Sequence, residues 1–372
     1  MHRVWKHILI IGPIALFIAL MGFLLFYPVQ KPPVVELEYA RTSISEASRN
    51  HAGIYSEILY NESRNCYDSA MILWQSENTK NRYKRDFSRV KTLAQKAASK
   101  AHEASFDSEN NSSDLNVNIR EKIEAVTRTD ADLKRRFSKY PLPSETRNNI
   151  SRGEILLTES LLEWERGNYL QAEKKVSEAR NLIVPAYEFA DANMRSYFRS
   201  YPQWRSWADS TIAASRLAND YSIIVDKFSR KVIVYLGGEV FKTYNAELGK
   251  NWVGDKKIRG DKATPEGMYR VIKMFKSDST KYHKALLINY PNEEDTASFI
   301  AAVEKGSLPR SAKIGGMIEI HGNGGKGSDW TAGCVAVTDR DMDSIFKIVK
   351  VGTPVTIVGS MYDLKSVLRR FN

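Results

Sequence analysis

The apolar pattern of this 372-residue chain changes its period near Asp220. From about Val34 to Leu217, apolar residues recur every three or four positions, which is the pattern of amphipathic helices. After Asp220, short runs of Val, Ile, Tyr and Phe are separated by glycine-rich turns, which is typical of strands. We therefore predict an α+β chain, in which an all-α helical-bundle region (34–217) precedes a β-rich domain (219–359) and a tail (360–372).

The helical region contains polar and proline-rich breaks that divide it into separate helices. These breaks fall at residues 107–114, at Pro141 and Pro143, at Gly167-Asn168 and at Pro202. A long helix or helical pair is expected before residues 107–114, and a further helix near residues 115–140 after them. A helical hairpin is expected around Gly167. No 34-residue period is present, so the pattern favours a bundle over a repeat array.

The β-rich region predicts seven strands and two helices. Gly237-Gly238 separates two of the strands and indicates a two-residue hairpin. Helices are expected near residues 296–305 and 339–351, the second starting with Thr338-Asp339-Arg340-Asp341 as a capping box. The interpretation is a mostly antiparallel β-sandwich or barrel-like domain, with strands near residues 221–225, 231–236, 239–244, 267–275, 285–290, 316–321 and 353–358.

The N-terminus contains an uncharged run of 20 residues, Ile8 to Tyr27, which follows Arg3 and Lys6. At about 1.5 Å per residue, such a helix reaches about 30 Å, the thickness of a bilayer core. We predict a cytoplasmic stub and a single transmembrane anchor within residues 1–30, with the C-terminal part outside the cytoplasm. The alternative is a cleaved signal peptide, but the run is longer than usual and lacks an A-x-A site.

The chain is basic, with a formal net charge of +11. Such a charge suits nucleic acid, anionic lipid or an anionic polymer. The basic residues are spread over polar helix faces, and no zinc-finger spacing or basic block occurs, so no nucleic-acid partner is predicted. The sequence also lacks a phosphate loop, dinucleotide glycines and a His-x-x-x-His pair, and its two cysteines are too few for a Cys-based zinc site. No cofactor and no metal are therefore predicted.

A histidine and a cysteine frame the last glycine-rich loop. His321 ends a predicted strand, and Cys334 follows after the loop Asn323–Trp330, which is flexible enough to bring the two side chains together. A thiol with a pKa of about 8.5 is mostly protonated at neutral pH, and a neighbouring imidazole can take its proton and hold a thiolate ion pair. Structural roles for both residues remain open from spacing alone.

Residues 219–359 resemble the YkuD-type L,D-transpeptidase catalytic domain. The family pattern is a His-Gly pair at a strand end, followed after a variable loop by [Ser/Thr]-x-Gly-Cys. The chain departs from many members at Ala332, where they have a second histidine, and at Ala336, where they have Arg or Asn. The matching segments are His321-Gly322, Thr331-Ala332-Gly333-Cys334, Ala263–Gly267, Leu248-Gly249 and Tyr290-Pro291-Asn292 with Asp295.

The resemblance implies a role for each matching residue. Cys334 is the nucleophile and His321 its base, with Gly322 orienting His321 and Gly333 contributing to an oxyanion hole. Further residues are expected to line or shape the substrate pocket, namely Thr331, Trp330, Thr264, Pro265 and Tyr290.

The implied activity is peptidoglycan modification at a bacterial inner membrane, with the catalytic domain in the periplasm. The enzyme forms a thioester with a stem peptide and transfers it to an amine of a second stem peptide or of an envelope protein. Two alternatives stay open: hydrolysis by the same Cys/His pair, as a carboxypeptidase or an amidase that releases wall-linked protein, and a non-catalytic wall-binding anchor.

Overall fold

The computed structural model describes residues 12–23 and 30–369. The described part of the first helix, α1, covers residues 12–23. Seven further helices precede the sheet: α2 (Val34–Arg49), α3 (Ala52–Tyr55), α4 (Glu57–Thr79), α5 (Ser88–Phe137), α6 (Ser144–Glu165), α7 (Tyr169–Tyr197) and α8 (Tyr201–Ala218).

The predicted membrane anchor requires a correction. In the two described stretches, no helix combines the length and the apolar character that a membrane span needs. This finding overturns the predicted transmembrane helix, the single-pass inner-membrane location and the membrane contact. Residues 8–11 and 24–27 of the predicted span lie outside the described residues.

Helix α5 continues through the polar cluster at residues 107–114, where a break was predicted, so that prediction is wrong. Ser, Asn and Asp disfavour helix interiors because their side chains compete for backbone groups. Here two of them bond to other segments: Ser108 Oγ donates to the Asn50 carbonyl at 2.6 Å, and Asn111 Nδ2 donates to the Tyr55 carbonyl at 2.8 Å. These side chains therefore bond to other segments instead of competing for the backbone groups of their own helix.

The chain forms two compact units. The first comprises Met1–Ile123 and Ser160–Glu173 and is helical where it is described. Its buried apolar positions are mostly alanines, among them Ala40, Ala94 and Ala97, which are fully buried. Small side chains of this kind let helices approach closely.

The second unit comprises Glu124–Glu159 and Lys174–Asn372. It contains the strands β1 (Tyr221–Asp226), β2 (Lys231–Leu236), β3 (Glu239–Asn245), β4 (Gly267–Phe275), β5 (Ala285–Ile288), β6 (Glu319–His321), β7 (Val335–Ala336) and β8 (Pro354–Val358). Three helices lie among and after the strands: α9 (Glu293–Glu304), α10 (Asp339–Phe346) and α11 (Leu364–Arg369).

The strands form one eight-stranded sheet in the order β3-β2-β1-β8-β4-β5-β6-β7. The pairs β1–β8 and β6–β7 are parallel, whereas the others are antiparallel. The sheet is also curled, because residues just after β3 bridge to the opposite edge: Glu247 pairs with Ala336, and Gly249 with Thr331. The domain is thus a curled mixed sheet, a half-barrel in which most strand pairs are antiparallel. Of the two predicted forms, β-sandwich or barrel-like domain, the β-sandwich is wrong.

The local turn signals were informative. Gly237 and Gly238 adopt positive φ angles of 59° and 81° and join β2 to β3, as the two-residue hairpin predicted. The predicted helix start at Thr338 is confirmed, since its side chain accepts a hydrogen bond from the Asp341 amide.

Candidate active site

The pairing of β6 with β7 places the predicted nucleophile and base on one face of the sheet. The strands run parallel, with Ile320 beside Val335 and His321 beside Ala336. Continuing this register by one residue places Cys334 beside Glu319. Because alternate residues of a strand share a face, Cys334 and His321 are diagonal neighbours on the face opposite the buried Ile320 and Val335.

The imidazole of His321 is completely buried and is held in one tautomer. Its Nδ1 lies 2.6 Å from the Gly322 carbonyl oxygen. A carbonyl only accepts hydrogen bonds, so Nδ1 carries the proton and Nε2 carries a lone pair. Nε2 is buried and has no hydrogen-bond partner among the described residues. The arrangement leaves a base whose accepting nitrogen is unused.

The surroundings of His321 keep it neutral. Tyr282 stacks on the ring, with centroids 3.5 Å apart and planes 7° apart. Burial lowers the pKa of His321 to about 4, and the charges of Lys281 and Lys326 act in the same direction, against the Gly322 hydrogen bond. The imidazole is therefore unprotonated at neutral pH.

Cys334 is half-buried, and its thiol donates a long hydrogen bond to the Met317 carbonyl, with Sγ and O 3.6 Å apart. Burial raises the pKa of the Cys334 thiol to about 11, because a buried thiolate loses its hydration. The resting state thus pairs a neutral thiol with a neutral imidazole, and it differs from the thiolate ion pair expected from the sequence.

The turn before Cys334 is organised by Thr331. Its hydroxyl donates to the Cys334 carbonyl at 2.7 Å and accepts the Gly333 amide at 3.2 Å. The Gly333 amide, expected in the oxyanion hole, is therefore engaged within the turn in this state. Gly333 itself has φ = +133°, and a Cβ there would lie 2.6 Å from the Ala263 carbonyl oxygen.

The segment Ala263–Gly267 forms a wall behind this turn. Thr264 is fully buried, and its Oγ1 accepts the Gly249 amide at 2.9 Å. A Cβ on Gly249 would meet the Lys262 carbonyl at 2.2 Å and the Gly333 Cα at 3.2 Å. The two glycines therefore allow the segments to touch backbone to backbone, and Pro265 follows Thr264 in the same wall.

Of the two aromatic residues expected in the substrate pocket, Trp330 lies near His321, whereas Tyr290 packs elsewhere. The Trp330 ring lies 6.0 Å from the His321 ring, and its Nε1 donates to Glu247 Oε2 at 2.7 Å. Tyr290 is buried elsewhere, where its ring packs against Tyr269 at 6.1 Å. Trp330 therefore adjoins the Cys/His pair, whereas the described ring contacts of Tyr290 do not include His321.

Sequence reasoning missed Tyr282. The next residue, His283, does not contact the imidazole in this way; its Nε2 pairs with Asp343 Oδ1 at 2.8 Å. Tyr282 lies in the loop between β4 and β5, and β5 pairs with β6, which ends at His321. Only the strand pairing brings this loop to the imidazole, so no local sequence signal could have identified it.

A second missed feature is a buried network behind the wall. Lys227 is fully buried, and its Nζ bonds to the Thr264 carbonyl and to Glu266 Oε1, both at 2.7 Å. The Glu266 carboxylate also accepts hydrogen bonds from the Tyr197 hydroxyl and the Trp204 indole. Helices α7 and α8 are thereby tied to the segment that supports Cys334.

A cavity of about 940 Å³ in the second unit is lined in part by the loop that joins β6 to β7. Trp252 and Tyr140 contribute aromatic walls, while Arg230 and Asp329 form an ion pair at its edge, with N and O 2.8 Å apart. Neither Cys334 nor His321 lines it. Within the described residues, no three His, Cys, Asp or Glu side chains are grouped to hold a metal.

Comparison with known proteins identifies the sheet region. Residues 220–357 match the YkuD family, described as the L,D-transpeptidase catalytic domain. No curated protein matches the chain.

Several solved structures resemble part of the chain. A Bdellovibrio bacteriovorus protein, Bd1075, is 23% identical over 41% of this chain and 53% of its own, with a TM-score of 0.30. An L,D-transpeptidase from Mycobacterium smegmatis is 12% identical over 37% and 58%, with a TM-score of 0.25. An Enterococcus faecium L,D-transpeptidase variant is 16% identical over 37% and 50%, with a TM-score of 0.25. The chain thus spans between 50% and 58% of the length of each of these three proteins.

Proposed function

We propose, taking residues 220–357 as an L,D-transpeptidase catalytic domain, that this chain is a cysteine acyltransferase acting on peptidoglycan stem peptides. Cys334 is the nucleophile and His321 the general base. The observation that carries the proposal is the unused Nε2 of a buried neutral imidazole, diagonally beside a thiol on the same sheet face. A base that is neutral and held by Nδ1 is ready to accept one proton.

The acylation step follows from the two neutral groups. The thiol leaves the Met317 carbonyl and gives its proton to His321 Nε2 while Sγ attacks the carbonyl carbon of the third stem residue. The C–S bond forms, the C–N bond to the terminal D-alanine breaks, and the imidazolium returns its proton to the departing amine. The products are a thioester on Cys334 and free D-alanine.

The second step transfers the acyl group. An amine of a second stem peptide or of an envelope protein attacks the thioester carbonyl and gives a proton to Nε2. The C–S bond breaks, and the sulfur regains that proton from the imidazolium. The Cys334 amide is the proposed oxyanion donor, since the Gly333 amide is bound by Thr331. One such donor contributes roughly 3 kcal/mol to the transition state.

The test uses full-length protein with disaccharide-tetrapeptide fragments and mass spectrometry of the products. Cross-linked dimers that lack one D-alanine are expected from the unaltered protein. Cys334→Ala should abolish them, and His321→Gln should slow them by at least roughly 10²-fold, a typical general-base contribution. Cys66→Ala is the matched control, because this second half-buried cysteine lies in α4 and should leave the rate unchanged.

Each other outcome has a defined meaning. Tripeptides with free D-alanine, absent from Cys334→Ala, would make water the acceptor and would replace the transferase by a hydrolase using the same pair. Equal product from Cys334→Ala and unaltered protein would refute the cysteine mechanism. No product from any protein would refute the proposed reaction on this substrate.

A further inference from the structure

Two lysines border the catalytic imidazole, each held against an aromatic ring. Lys281 Nζ lies 5.0 Å from the centroid of the Tyr282 ring, which stacks on His321. Lys326 Nζ lies 3.4 Å from the centroid of the Trp330 ring, which meets His321 edge-on at 6.0 Å. The lysines come from different loops, β4–β5 and β6–β7, and both loops converge on the imidazole.

Within the part of the chain that the structure describes, neither ammonium group forms an ion pair. Lys256 pairs with Asp261, and Lys284 with Asp343. By contrast, no carboxylate among residues 12–23 and 30–369 lies within ion-pair distance of Lys281 or Lys326. Both side chains are exposed, so their charges are accessible to a ligand from solvent.

The charge of Lys281 reaches the reacting groups. It lowers the pKa values of Glu319 and Cys334, against the larger effect of burial, and it disfavours protonation of His321. Coulombic effects of this kind between exposed charges are largely screened beyond about 10 Å at physiological salt. The ammonium group therefore belongs to the surroundings of the thiol.

We propose that Lys281 and Lys326 form a carboxylate-binding site beside the thiol, which selects peptides carrying a free carboxylate close to the bond that is cleaved. The proposal rests on the proposed function and names the substrate feature that it recognises. An ammonium group offers three donors to a carboxylate, and contact with a ring restrains the otherwise flexible lysine stem. Less side-chain entropy is then lost when the carboxylate binds.

Two positions of the carboxylate are possible in a tetrapeptide: the C-terminus and an interior acidic residue. The experiment therefore compares three tetrapeptides in a release assay: one with both carboxylates free, one with a C-terminal amide and one with the interior carboxylate amidated. The proteins are the unaltered chain, Lys281→Gln, Lys326→Gln and the double variant. Lys305→Gln is the matched control, an exposed lysine at the C-terminal end of α9.

Each Lys→Gln change is expected to raise KM for the fully charged peptide about fivefold, the size of an exposed ion pair, with kcat changed less than about twofold. High salt should remove most of the difference in KM between each variant and the unaltered protein. Amidating the recognised carboxylate should erase the difference between variant and unaltered protein, which identifies its position. An unchanged KM in the double variant, or an equal rise on both amidated peptides, would overturn the carboxylate site.

A binding measurement tests the carboxylate site independently of the proposed reaction. Cys334→Ala cannot form the thioester, so its affinity for the charged tetrapeptide is measured by calorimetry with and without the double lysine change. A Kd weakened about tenfold or more supports the carboxylate site even if the unaltered protein releases no product. An equal Kd refutes the site even if the reaction is confirmed.

Discussion

His321 suits the proposed role of general base because its Nδ1 is already engaged and its Nε2 is not. The Gly322 carbonyl takes the Nδ1 proton, and Tyr282 covers one ring face, while Nε2 remains without a partner among the described residues. Burial lowers the pKa of His321 to about 4 and raises that of Cys334 to about 11. In the proposed acylation, proton transfer accompanies attack by the thiol, because a stable thiolate would be buried without its hydration.

The buried neutral imidazole predicts a pH dependence of stability. In the unfolded chain, histidine titrates near 6.5, whereas the folded pKa of His321 is lowered to about 4. As pH falls from 6.5 towards 4, the unfolded state takes up a proton that the folded state does not. The free energy of unfolding therefore decreases, by about 3 kcal/mol in total from this one group.

Urea unfolding of the full-length protein between pH 7 and pH 4 measures this effect, with His321→Gln as the reference. Carboxylates that titrate in the same range contribute equally to both proteins, so the difference between the two curves isolates His321. The unaltered protein should lose about 3 kcal/mol more than the variant over this interval. Parallel curves would mean that the folded pKa is close to 6.5.

Sequence motifs predicted where His321 and Cys334 lie along the strands, but they did not predict which residues surround the two side chains. His321 and Cys334 lie at the ends of segments that the sequence identified, and the turn holding Gly333 follows the same motif. Tyr282 belongs to the loop before β5, a strand that contacts β6 only after the sheet has formed. Protonation states depend on such distant neighbours, so the sequence predicted an ion pair where burial favours neutral groups.

At the level of elements, the turn from Thr331 to Cys334 depends on a glycine. Gly333 has φ = +133°, and an added Cβ would lie 2.6 Å from the Ala263 carbonyl oxygen. Gly333→Ala should lower the free energy of unfolding by about 1–3 kcal/mol, from backbone strain and the steric clash. It should also reduce the proposed turnover, since the turn positions Cys334.

Gly352→Ala is the matched control for this change. Gly352 also has a positive φ, of 97°, but nothing lies within 4 Å of the added Cβ. Gly352→Ala should lower the free energy of unfolding only through backbone strain, by about 1 kcal/mol, and should leave turnover unchanged. Urea unfolding and the release of D-alanine measure the two effects. Equal stability and equal turnover in both variants would show that the close contact at Gly333 is unimportant.

The strands whose ends are marked by turns could be predicted, whereas the short strand after Cys334 could not. The paired glycines between β2 and β3 indicate a hairpin by themselves. Strand β7 has only two residues, Val335 and Ala336, which is too short for a periodic pattern. Its pairing with β6 and the bridge from Glu247 curl the sheet, and these long-range contacts distinguish a half-barrel from a sandwich.

At the scale of the molecule, the catalytic sheet shares its core with helices outside the family match. Buried side chains of α5, α7 and α8 belong to one hydrophobic cluster with the strands, including Phe137, Met194 and Trp204. The Lys227–Glu266 pair is also bonded to Tyr197 and Trp204. The predicted domain boundary at residue 219 stays a prediction, but the second compact unit already includes Glu124–Glu159.

This shared core makes a prediction about shortened chains. A chain beginning at residue 219 would lose Trp204, which is 1% exposed and covers Gly359, and would leave the Glu266 carboxylate without two donors. Removing one buried large aromatic side chain typically costs about 3–5 kcal/mol, a large part of a domain's net stability. The chain from residue 219 should therefore be unfolded or aggregated, whereas one beginning at residue 124 should unfold cooperatively. Circular dichroism during heating compares them, and a cooperative transition at the same temperature in both would refute the dependence of the sheet on these helices.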